Sequence, residues 1–99
     1  SGASDLARAY ALIGKKADAA RILNKVWADA KSYADYYLQL TGSRFMMSQN
    51  DVLRQLYIMQ NIADMTQACD KTLADQRLKT VNALYAVYQA KGGTPYQGE

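Results

Sequence analysis

The sequence has no histidine, and its single glutamate, Glu99, is the last residue. The most common general base and the most common zinc ligand are therefore missing. No Ser–His–Asp or Cys–His constellation can be assembled from these side chains. One cysteine, Cys69, excludes a disulfide within the chain. One proline, Pro95, leaves everything before it free of that helix breaker. No run of about 18 apolar residues exists, so nothing here is expected to insert into a membrane. No phosphate-cradling glycine loop or calcium loop is present either. We therefore expect no enzyme, no catalytic residue, no cofactor and no metal.

What remains is rich in alanine and poor in β-branched residues, with hydrophobic residues at 49%. The six glycines fall near the ends or at candidate breaks, at Gly2, Gly14, Gly42, Gly92, Gly93 and Gly98. This composition predicts one all-α domain. The formal charge is +3. The basic residues are scattered, with Lys15-Lys16 the one tight pair, so no clustered footprint for nucleic acid is expected. The opening "SGAS" reads as a cloning remnant, and the domain is expected to be a piece of a larger protein.

Apolar periodicity predicts four helices, at about 5–13, 17–40, 49–69 and 72–91, with a flexible tail over 92–99. Ser4 is a candidate N-cap for the first. The second carries Ile22, Leu23, Val26, Ala30, Tyr33, Tyr37 and Leu40 on one stripe, which directs Tyr33 and Tyr37 inward. Ser48-Gln49-Asn50-Asp51 matches a capping box at the start of the third. That helix has two stripes, Val52-Leu53-Leu56-Met59-Ala63 and Ile58-Ile62-Met65-Cys69, on nearly opposite sides. A helix apolar on two sides is buried on both or carries an interface. The fourth shows one stripe, Ala74, Leu78, Val81, Leu84, Tyr85 and Tyr88, with Asp70 and Asp75 read as aspartates at its start.

Residues 6–26, LARAYALIGKKADAARILNKV, resemble one tetratricopeptide repeat through Leu6-Ala7, Tyr10, Gly14, Ala19, Leu23 and Val26. Ala3 and Lys31 stand where that motif favours an aromatic and a proline, and the 34-residue shift gives a poor second copy. The resemblance implies a right-handed antiparallel helical array that serves as a protein-contact scaffold. More of the chain, through Tyr36-Tyr37-Leu38, Arg44-Phe45 and Leu56-Tyr57-Ile58-Met59-Gln60, is similar to the soluble C-terminal tail of a Bacteroidetes family of multi-pass membrane proteins. That family carries a domain similar to protein O-mannosyltransferases. The resemblance implies a location on the periplasmic side of the inner membrane, with any transferase chemistry in another part of the protein.

Two functional readings follow. A helical interaction module would contact other parts of its own protein or a second copy, and would expose Ile58, Ile62, Met65 and Cys69 as a flat patch. Trp27 and Tyr36 are further candidate contact residues. The alternative is a small-ligand or glycan-binding domain, stacking a sugar on Tyr36, Phe45 or Trp27 beside polar groups in a cleft. Cys69 reads as a buried, inert thiol.

Overall fold

A computed structural model describes residues 2–95. It contains five helices and, among these residues, no strand: α1 (Gly2–Leu12), α2 (Lys16–Gln39), α3 (Gly42–Met47), α4 (Gln49–Thr66) and α5 (Lys71–Ala90). The four long ones form an antiparallel all-α arrangement. α1 lies against α2, α2 against α4, and α4 against α5, while short α3 bridges α2 and α4. α2 is about 36 Å long at 1.5 Å per residue, most of the molecule's 46 Å long axis.

The helix ends follow from glycines. At the end of α1 the amide of Lys15 donates to the Tyr10 carbonyl (2.8 Å) and that of Gly14 to Ala11 (3.2 Å). This paired closure requires a left-handed residue at the turn, and Gly14 supplies it at φ +85°. α5 ends in the same way, with Gly93 donating to Tyr88, Gly92 to Gln89, and Gly92 at φ +94°.

Several local expectations are corrected. α1 begins before Ser4, which sits within its first turn rather than capping it. The break after α2 holds a fifth helix, because Phe45 is buried and anchors the turn that Gly42 starts. Ser48 precedes α4, but its hydroxyl donates to the Arg44 carbonyl (2.8 Å) and makes no capping box. Because α3 runs straight into α4, Ser48 sits at φ −99°, ψ 6° rather than in the extended conformation of a cap residue, and its oxygen accepts no amide of α4. α4 stops at Thr66, so Cys69 lies in the following turn. Asp70 then caps α5, accepting from the Leu73 amide at 3.0 Å.

α4 is the central helix. Val52, Met59, Ile62 and Ala63 are all fully buried. The double stripe therefore means burial between α2 and α5 on two sides, and Ile62 belongs to the core. Ala7 and Ala19 are likewise fully buried where α1 meets α2. Tyr33 is 58% exposed, against expectation. α1, about 16 Å long, runs beside only the first half of α2, and Tyr33 lies beyond its reach. Tyr37 is half-buried.

The C-terminal segment is held where a loose tail was expected. The Tyr88 hydroxyl donates to the Thr94 carbonyl (2.5 Å), and the Thr94 amide donates to Gln49 Oε1 (2.6 Å). Gly93 lies so closely on the Tyr88 ring that a Cβ there would collide with it. Burial pushes the Tyr88 phenol above its usual range, Tyr85 adds to this, and the bond to Thr94 opposes it. The rest of the expected tail, 96–99, lies outside the described residues.

Candidate functional site

Among the described residues, three surface depressions and one buried charge are candidate places where these helices do something besides pack. The first depression is a groove of about 720 Å³ between α1 and the C-terminal half of α4. α2 contributes Leu23 to its lining, α1 contributes Ala7 and Ala11, and α4 and the turn after it contribute Met65 and Ala68. Small residues on α1 make the depression, because Ala side chains leave space that Leu would fill. Leu12 and Ile58 line it too; Leu12 is 80% exposed and Ile58 37%. Asp5, Arg8 and Asp64 add charges of both signs.

The second is a cleft of about 510 Å³ between the N-terminal half of α4 and the middle of α5. Leu53, Leu56 and Val81 give it an aliphatic lining, with the rings of Tyr57 and Tyr85 and the side chain of Arg54 beside them. Asn50, Gln60 and Asn82 add amide groups. The third is a shallow recess along α2 alone, lined by Trp27, Lys31, Asp35 and Tyr36 among others. Lys31 and Asp35 pair there at 2.8 Å.

The buried charge is Arg77, on the core face of α5 and only 6% exposed. Its Nη1 donates to Thr66 Oγ1 (2.8 Å) on α4, and its Nη2 to Asn24 Oδ1 (2.6 Å) on α2. The Thr66 hydroxyl donates its own proton to the Ile62 carbonyl (2.7 Å). The guanidinium also lies 5.1 Å from the centre of the Trp27 ring, within cation–π range. Its Nε has no partner among the described residues. Burial pulls the guanidinium below its ordinary pKa, and the Asp70 carboxylate works against that pull.

The expected contact residues are thus dispersed. Ile58 and Met65 line the α1/α4 groove, with Met65 half-buried. Ile62 is in the core, and Cys69 is half-buried against it. The flat patch expected of these four is not formed, because Ile62 is buried in the core and Met65 and Cys69 are half-covered, leaving Ile58 as the one exposed member. Trp27 is partly covered and lies beneath Arg77, while Tyr36 is exposed and edge-on to Tyr37 at 5.4 Å. Phe45, offered as a sugar platform, is buried against Tyr88 at 6.0 Å. It cannot join Trp27 and Tyr36 in one site.

Among the described residues no group of three His, Cys, Asp or Glu side chains could hold a metal ion. No helix there is long and apolar enough to cross a membrane. Sequence reasoning missed both Arg77 and the α4/α5 cleft. Arg77 was signalled by its spacing, since it sits between Ala74 and Val81 on the apolar stripe. No family model matches the chain, and neither a curated protein nor a solved structure is found to be similar to it.

Proposed function

We propose that this is a non-catalytic helical interaction domain that holds a protein segment in the groove between α1 and α4. The supporting observation is the groove itself. It is open along two helices, lined by alanines and Leu23 with Met65, and flanked by the exposed Leu12 and Ile58. An amphipathic helix could lay its apolar face into such a channel. The mixed charges of Asp5, Arg8 and Asp64 would set its register rather than its affinity. In this reading the α1–α2 hairpin acts as a single tetratricopeptide-like unit. The occupant is a second copy or another segment of the same larger protein.

The test is solution mass by light scattering for the native chain and for a Leu12→Asp, Ile58→Asp variant. Both positions are exposed, so the variant should keep its fold, as circular dichroism would check. A mass above 11.0 kDa that returns to the monomer in the variant supports the reading with a second copy as occupant. Protection of groove amides from exchange only within the full-length protein supports it with an internal segment. Monomers throughout, with groove amides equally free in both contexts, would sink it.

The small-ligand reading keeps a physical basis in the α4/α5 cleft, where aromatic rings and side-chain amides do share one depression.

A further inference from the structure

We propose that the α4/α5 cleft binds a small amphipathic anion, with a flat or chain-like apolar body and one carboxylate or phosphate head. The size is suitable: about 510 Å³ lies within the roughly 300–1,000 Å³ of small-molecule sites. The body follows from the aliphatic part of the lining. Leu53, Leu56 and Val81 offer no hydrogen bond, so a sugar's hydroxyls turned toward them would lose their water uncompensated. An apolar body loses nothing there and gains the rings of Tyr57 and Tyr85.

The head follows from charge. Arg54 is exposed, and its guanidinium makes no ion pair or hydrogen bond among the described residues. No carboxylate shares the lining with it. Arg54 is the one cation in that lining, and it is unpaired where Arg21, Lys25, Lys31 and Lys71 each pair with an aspartate on their own helix and Arg77 is bound within the core. An available guanidinium beside an aliphatic cleft favours a ligand that carries a negative charge next to an apolar body. The amides of Asn50, Gln60 and Asn82 can orient the head by donating to it.

This site does not depend on the groove, which uses the other half of α4. The experiment is a two-dimensional NMR titration with sodium 2-naphthoate and, separately, the neutral 2-naphthamide. It is run on the native chain and on Arg54→Gln, a change at an exposed position. The expected result is saturable naphthoate shifts at Leu53, Leu56, Val81 and Tyr85. An exposed charge pair is worth up to about 1 kcal/mol, so naphthamide should bind about fivefold more weakly. Arg54→Gln should erase that difference. An Asn82→Trp variant, which fills the cleft from an exposed position, should abolish binding of both probes.

Absence of saturable shifts at these residues up to about 5 mM naphthoate would overturn the proposal. So would equal affinity for the two probes in the native chain. Shifts at the same residues on raising protein concentration alone, with a doubled mass, would assign the cleft to a second copy and overturn it too.

Discussion

Thr66→Val tests whether the buried Arg77 is held by its acceptors. Valine reproduces the shape of threonine and removes only the hydroxyl. In the native chain this strips Nη1 of its acceptor while Nε already lacks one. The guanidinium, at 6% exposure, has little access to replacement water. A hydrogen bond to a charged group is worth about 1.5–3 kcal/mol, and leaving the donor buried carries the larger part of that loss. We expect Thr66→Val to cost about 2 kcal/mol, lowering Tm by about 8–16 °C for a domain of this size. Arg77→Met behaves differently. It gives up the contact with Trp27 and two hydrogen bonds, but it also removes a charge from a poorly solvated place. Asn24 is exposed and can turn to water, and the Thr66 hydroxyl keeps its bond to the Ile62 carbonyl, so the cost of Arg77→Met should stay within about 1 kcal/mol. In the Arg77→Met background, Thr66→Val should cost less than about 0.5 kcal/mol, since no buried donor then needs the hydroxyl. The double-mutant cycle should therefore return a coupling of about 1.5 kcal/mol. Urea unfolding, followed by far-UV circular dichroism and by Trp27 fluorescence, measures all four corners. Equal costs for Thr66→Val in the two backgrounds would refute the reasoning.

Three further outcomes are expected. Phe45→Ala should destabilise by about 3–5 kcal/mol, whereas Met47→Ala, at a position 83% exposed, should fall within about 0.5 kcal/mol of native; chemical denaturation of both reads the contrast. Gly93→Ala drives a methyl into the Tyr88 ring and should cost about 1–3 kcal/mol, with most of that recovered in a Tyr88→Leu background. Because burial raises the Tyr88 phenol, its contribution is intact below the ordinary tyrosine value of 10.0 and fades as pH climbs through its higher folded value. Alkaline unfolding curves should show that decline, and Tyr88→Phe should make it shallower; an unchanged slope would contradict it.

The four long helices were legible because alanine content, period and glycine breaks all point the same way. Gly14, Gly42 and Gly92 mark helix boundaries with positive φ, a backbone state that glycine reaches without strain. The two stripes of α4 left burial on both sides and an exposed interface equally open, and the interface expected at Ile62 gave way to burial. What the sequence could not show was which helix covers which. Tyr33 shares the stripe of Val26, but its exposure depends on α1 being less than half as long as α2. The α3 turn was hidden because six residues carry too little periodicity to distinguish a helix from a loop. The cleft was invisible for a related reason. Tyr85 reads as part of the core stripe of one helix while Arg54 and Tyr57 lie off the stripes of another, and only the α4–α5 packing brings them together.

Arg77 shows why a charge can occupy a position that the apolar period assigns to leucine. α5 packs along α4 and has little direct backbone contact with α2. An aliphatic side chain at position 77 would fill the space beside α4 but could not hydrogen-bond to α2. Arginine is long enough to reach Asn24 on α2 while still donating to Thr66 on α4, and its guanidinium covers Trp27. Its donors thus fix the relative position of three helices with directional bonds, which aliphatic contacts do not provide. The cost is a desolvated cation with one nitrogen unpartnered among the described residues. That trade explains why Arg77→Met should leave stability almost unchanged while loosening the docking of α5. Hydrogen exchange should detect the loosening as faster opening of α5 amides relative to those of α4, at equal global stability. If α5 and α4 amides kept their native ratio in Arg77→Met, the guanidinium would be a tolerated charge and not the device that sets the position of α5.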